Sequence, residues 1–314
     1  MLKEDSNKQP NNLLEIDIIE LFSVIWHGKW IIASVTGFAS VLGVIYSLSL
    51  PNIYESKAIL VPANSSNSIS GALQTYGGLA GLAGVNFPGN KSSNSSKAIA
   101  KINTLSFFKD NLLENIYLPD LLAVKSWNPE TNILTYEESI YDAKTNSWVE
   151  GYLDPTQQVP SAQKSFSVFK SAHLGLIDDN KSGIVTLSIK HQSPFVAKQW
   201  AELVVNQINF FYRQKDKAES EKAVSYLNQQ ISTSNLSEIK EVLAQLLQEE
   251  SKKLTLIEAN EFYVFEYIDP PAAMEHKSEP KRFTICIISA FLGSILSVLL
   301  VLLRHYIFTN KKIH

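Results

Sequence analysis

The residues that could do chemistry are thinly spread. The histidines, His27, His173, His191, His276, His305 and His314, include no pair at metal-ligand spacing, and there is no His-Glu-x-x-His helix motif. The glycine run at 77–84 (GGLAGLAG) lacks the following Gly-Lys-Ser/Thr of a phosphate loop, and the nearest lysine, Lys91, lies beyond Pro88. Nucleotide binding and a built-in kinase are therefore not expected. The adjacent carboxylates Glu137-Glu138, Asp178-Asp179 and Glu249-Glu250 read as solvated faces, and Asp178-Asp179-Asn180 before Gly183 reads as a turn. No Gly-x-Ser-x-Gly elbow occurs. The single cysteine, Cys286, falls within an apolar run, so the rest of the chain has neither thiol chemistry nor a disulfide. The net charge of −3 carries no message about nucleic acid, but no basic cluster interleaved with aromatics appears, so no nucleic-acid partner is expected. Catalytic, cofactor-binding and metal residues are all expected to be none.

What the chain does have is anchors. Its composition, 45% hydrophobic and 19% charged, looks like that of a soluble protein, but the apolar residues are concentrated. Trp30–Leu50 (WIIASVTGFASVLGVIYSLSL) and Phe283–Leu303 (FTICIISAFLGSILSVLLVLL) contain no Asp, Glu, Lys or Arg. Each is about 21 residues long and would span roughly 31 Å as a helix, the hydrocarbon thickness of a bilayer. The first run is longer than a signal-peptide core and follows an acidic N-terminal stretch. It is expected to be an uncleaved anchor, although Ser47-x-Ser49 has the small residues of a cleavage site. Neither span carries an ionisable residue of the kind that marks a channel or pump. Small residues recur at four-residue spacing, as Ala33/Gly37, Ala39/Gly43, Ser289/Gly293 and Gly293/Ser297. That spacing lets helix backbones approach closely, either within one subunit or between subunits. Basic residues near the spans are balanced between the two sides. Long domains translocate regardless of charge, however, so the basic tail Arg304, Lys311, Lys312 favours both termini in the cytoplasm.

Between the anchors the pattern shifts repeatedly. Leu14, Ile18, Leu21 and Ile25 form one helical face within 13–28, suited either to the membrane surface or to a partner helix. Tyr54, Ser56, Ala58 and Leu60 alternate with Glu55 and Lys57 as in a half-exposed strand. The Ser/Asn/Gly-rich stretch 63–96 reads as a mobile loop. Residues 97–115 show helical spacing at Ile99, Ile102, Leu105, Phe108 and Leu112. Aromatics crowd 119–163 (Trp127, Tyr136, Tyr141, Trp148, Tyr152) in an irregular, partly stranded region. Val185, Leu187 and Ile189 face one way along a strand, and Ser193-Pro194 opens a helix as N-cap and first residue. That helix is expected over about 194–231. A second, capped by Asn235 and Glu238, follows over about 236–259 and folds back on the first. EFYVFEYI at 261–268 reads as a strand. Pairing it with the strand at 54–60 would bring both ends of the domain together.

The expected fold class is α+β, with two transmembrane helices flanking a periplasmic mixed α/β base that carries a long helical arm. The expected divisions are a cytoplasmic segment 1–29, a span 30–50, a periplasmic domain 51–282, a span 283–303 and a cytoplasmic tail 304–314. The membrane-helix packing positions are Gly37, Gly43 and Gly293.

Taken together, IDIIELFSVIWHGKWII at 16–32 and NIYESKAILVPA at 52–63, on either side of a span, resemble the Wzz family of polysaccharide co-polymerases, or chain-length determinants. The C-terminal half is similar too, with a long helix pair, a strand and a Pro-containing segment before the second span. Pro270, Pro271, Pro280, Lys281 and Arg282 match that segment, although an extra Glu279 interrupts the Ser-Pro-Lys-Arg that usually ends it. The resemblance covers nearly the whole chain and is weakest over 119–165. It implies a ring-like homo-oligomer in the bacterial inner membrane with a periplasmic body. Such an oligomer sets the length of O-antigen or a related polysaccharide made by a separate polymerase, and does no chemistry itself. Membrane lipid and lipid-linked polysaccharide are the other implied contacts. A scaffold for capsule or exopolysaccharide export is the alternative. A sensor or hydrolase would need an output domain or a site that the sequence does not show.

Overall fold

The computed structural model describes residues 18–63, 91–153, 157–179, 181–260 and 262–310. The chain divides into two units, one comprising Met1–Pro51 with Glu279–His314 and the other Asn52–Ser278. It is a mixed α/β protein with long helices and an apolar helix toward each end.

The larger unit is built on a four-stranded antiparallel sheet. Its strands are β1 (Tyr54–Pro62), β6 (Leu174–Asp179), β7 (Ile184–His191) and β8 (Phe265–Asp269), in the order β6-β7-β1-β8. The register aligns the apolar alternations: Ala58 lies opposite Leu187 and Leu60 opposite Val185. These four residues and Ile189 are buried on one face, while Lys57 points to solvent. A one-residue slip would turn that face outward. β8 pairs with β1 as expected, through a bulge at Ile59/Leu60. The strand begins at Phe265, later than the sequence suggested.

Across the buried face lies α6 (Pro194–Thr233), whose Trp200, Val204 and Ile208 join the sheet residues in one core. Burying each such side chain contributes roughly 1.5–3 kcal/mol. Ser193 caps the helix, its hydroxyl accepting the Val196 N–H, and Pro194 is the first residue. After Ser234, α7 (Ser237–Ala259) returns along the second half of α6. Its start differs from expectation. Leu236 is the N-cap and no side chain satisfies the first amides, so the Asn235/Glu238 capping box is absent.

Three further expectations need correction. The loop expected over 63–96 falls mostly outside the described residues, but its end is helical, because α3 spans Lys91–Ile102. The helix expected over 97–115 is broken at Thr104, whose hydroxyl caps a new turn by accepting the Phe107 N–H. Three short turns follow, Leu105–Phe107, Phe108–Leu112 and Leu113–Asn115, which bury Phe107, Phe108 and Leu112. Asp178 and Asp179 lie at the end of strand β6 rather than wholly in a turn. Asp179 closes that hairpin by accepting the Lys181 N–H and the Ser182 hydroxyl. Helix α5 (Ala162–Val168) was not foreseen. It starts on a Ser161 cap and runs into a wider turn that buries Phe169.

The aromatic region resolves into helix α4 (Leu118–Leu122) and two small hairpins, β2–β3 (Val124–Asn128, Ile133–Tyr136) and β4–β5 (Tyr141–Asp142, Ser147–Trp148). Asn132 and Asn146 hold the hairpin turns at φ +54°, a left-handed conformation that asparagine tolerates well.

Candidate membrane anchor and assembly surfaces

The smaller unit pairs α2 (Lys29–Ser49) with α8 (Arg282–Asn310), both long and apolar enough to cross a membrane. Contacts run in opposite chain directions, Thr36 to Ser297, Ala39 to Gly293 and Gly43 to Ser289, so the helices are antiparallel. Small residues make the seam. A Cβ added at Gly43 would lie 2.3 Å from Ser289 Oγ, and one at Gly293 would lie 2.5 Å from Ala39 Cβ. Thr36 and Ser297 hydroxyls meet at 3.5 Å, and Ser47 and Ser297 are buried. Close backbone approach replaces the missing hydrophobic drive between helices in lipid. Gly37 lies outside this seam, since nothing comes within 4 Å of an added Cβ there. The outer faces, including Phe38, Leu42, Ile45, Phe291, Ile295 and Leu299, are exposed. Helix α1 (Ile18–His27), the described part of the amphipathic stretch 13–28, packs on α8 of the same chain.

The Pro-containing segment belongs partly to each unit. Pro270 is exposed and Pro271 buried. From Ala272 to Ser278 the chain runs beside the start of β1. Ser56 Oγ donates to the Ala272 carbonyl (2.8 Å), the Ser278 N–H donates to the Ile53 carbonyl (2.8 Å), and Ser278 Oγ donates to Glu55 Oε2 (3.1 Å). Burial would push the Glu55 carboxyl up, but Lys57 at 3.3 Å and Ser278 outweigh it and hold it below the ordinary range. Pro280 follows a cis peptide bond and accepts the Arg282 N–H (2.9 Å), after an exposed Lys281 and where α8 begins.

The helical arm has a surface of its own. Leu243, Leu247, Leu254 and Ile257 of α7 turn toward α6, while Leu236, Ile239, Val242 and Leu246 remain exposed at helical spacing.

Sequence reasoning missed two groups of buried polar residues. Asn209 on α6 reaches the start of β8, where its Nδ2 donates to the Phe265 carbonyl (2.9 Å). Its Oδ1 accepts the Val264 (2.7 Å) and Phe265 (2.9 Å) amides. His173 and His191 stack at 5.6 Å, each edge-on to Trp200. The distance in sequence between these partners left no local signal.

The aromatic density in 119–163 was visible, but its purpose was not. The rings form a ladder, with Tyr136 on Tyr141, Tyr141 on Trp148 and Trp148 stacked on Tyr152 at 5.7 Å. Tyr117 and Tyr141 hydroxyls meet at 2.8 Å and both lie within hydrogen-bond reach of Asn146 Oδ1, so one hydroxyl donates to the amide oxygen while the other donates to that hydroxyl. Beside them opens a cleft of about 970 Å³. Among the described residues, no group of His, Cys, Asp and Glu could hold a metal ion.

Residues 14–106 match the model of the Wzz family, described as chain length determinant protein. The family resemblance carried by 16–32 and 52–63 is thus shown for the region that includes α2, β1 and α3. No curated protein matches the sequence. Among solved structures, a "full-length bacterial polysaccharide co-polymerase" is similar at 16% identity and TM-score 0.37, covering 93% of this chain and 99% of that one. A "Fragment of WzzB, Polysaccharide Co-polymerase from Salmonella Typhimurium" is similar at 14% identity and TM-score 0.30, covering 73% and 100%.

Proposed function

We propose that this chain regulates the length of a surface polysaccharide without catalysing its synthesis. In this reading it is an inner-membrane homo-oligomer that acts on a separate polymerase of O-antigen or a related glycan. The observation that carries the reading is the chain-length-determinant match over 14–106, which runs from the first apolar helix into the sheet. The second apolar helix supports a two-anchor topology with both termini cytoplasmic and residues 51–282 in the periplasm. The exposed stripe Ile239, Val242 and Leu246 supports contact between subunits along the arm.

Deleting the gene tests the function. A broadened or shifted ladder of surface-polysaccharide lengths on a gel is expected. An unchanged ladder in a strain making polymerase-dependent glycan would reject the proposal. Complete loss of surface polymer would instead indicate an export scaffold.

A further inference from the structure

Resting on that regulatory reading, we infer that the cleft beside the β4–β5 hairpin binds a short, uncharged stretch of saccharide. A sugar ring presents a C–H face and a rim of hydroxyls. It needs a flat apolar wall together with neutral donors and acceptors, and this cleft supplies both. The exposed ring of its walls is Tyr117, backed by the buried Tyr141 and the half-buried Trp148, with aliphatic surface from Leu113, Val149 and Val159. Its polar edge is made of Ser147 and the amides Asn146, Gln157 and Gln158, and among the described lining residues Glu150 is the one charged side chain. With no Lys or Arg among the described lining residues, these walls give no charged donor to a phosphate or an acidic peptide. The open, half-apolar form matches the usual character of a ligand site, in which a few polar groups fix orientation.

The walls are also held in place before any ligand arrives. Lys164 Nζ sits 3.5 Å from the centre of the Tyr152 ring and donates to the Tyr152 carbonyl (2.9 Å), fixing the ring on which Trp148 stacks. The Tyr117–Tyr141–Asn146 network fixes the opposite corner. A site ordered in advance loses little conformational freedom on binding. Yet Tyr117 and Val159 remain 51% and 57% exposed, apolar surface that a bound ring would cover.

The test uses the full chain in lipid nanodiscs. The probe is the oligosaccharide mixture released by mild acid from the surface polysaccharide of the expressing cell, titrated by calorimetry. Binding in the millimolar range or tighter is expected, weakened about tenfold by Trp148→Ala. Val159→Arg, at an exposed position that spares the fold, is expected to weaken it to a similar degree. Absence of binding by the unaltered chain, or binding that ignores both substitutions, would overturn the inference. So would a change of subunit number with Val159→Arg and no change in saccharide affinity, which would make the cleft a subunit contact. The two readings fail separately. An unchanged ladder on gene deletion with intact saccharide binding removes the regulatory role and keeps the site. A ladder that needs the chain, with saccharide binding absent, does the reverse.

Discussion

His191 shows how much one side chain can hold. Its Nε2 lies 3.0 Å from the Asp120 carbonyl, and its Nδ1 accepts the Ser193 N–H at 2.9 Å. The neutral ring with its proton on Nε2 satisfies both contacts, and a second proton would displace Ser193, the cap of α6. Burial pushes the imidazole down to about 4, helped by the neighbouring His173, itself lowered by burial. The unfolded chain therefore binds more protons between that value and the ordinary histidine range, so stability falls as pH drops below about 6.5. A urea midpoint lower at pH 5.5 than at pH 7.5 is expected, with the difference reduced in His191→Gln. An identical difference in that variant would show that other groups carry it. Asn209 is the second such position. Asn209→Leu leaves two amides and a carbonyl at the start of β8 without their partner and is expected to cost roughly 3 kcal/mol. Tryptophan-monitored unfolding would read it, and a loss near zero would mean that water replaces the side chain.

Among the elements, the helix pair makes the sharpest contrast. Gly43→Leu drives a side chain into Ser289 and is expected to lower the melting temperature of the solubilised chain, a cost of about 1–3 kcal/mol. Gly37→Leu meets open space within the chain and is expected to leave it unchanged. Equal effects would mean that the seam is misplaced. On the arm, Val242→Glu puts a charge on the exposed stripe and is expected to change the mass of the oligomer in detergent without unfolding the chain. A monomer in the unaltered protein would reject assembly altogether. These elements differ in how legible they were. The Ser193-Pro194 helix start and the alternation of β1 and β7 were readable because each signal is local. The Asn235/Glu238 box was not, because the turn places Leu236 at the N-cap, which has no side-chain acceptor for the first amides, and the helix starts at Ser237. Helix α5 was hidden because its inward residues are Ser165, Phe166 and Val168, with only two apolar side chains among seven residues, too few for a period to show.

For the molecule as a whole, the fold class followed from patterning and the family region from two short motifs, while the cleft depended on hairpins that no periodicity announces. The proposed topology makes its own prediction. Protease added from the periplasmic side is expected to cut within 51–282 and spare the tails, and the opposite pattern would invert the arrangement. A practical consequence follows from the bond between the Ser278 N–H and the Ile53 carbonyl, at 2.8 Å. The body of the protein begins and ends at neighbouring points, so a bridge of a few glycines from 278 back to 52 could close it on itself without strain. Freed from lipid and joined head to tail, that ring of backbone would be a water-soluble reagent for crystals and titrations. New termini could then be opened in any surface turn.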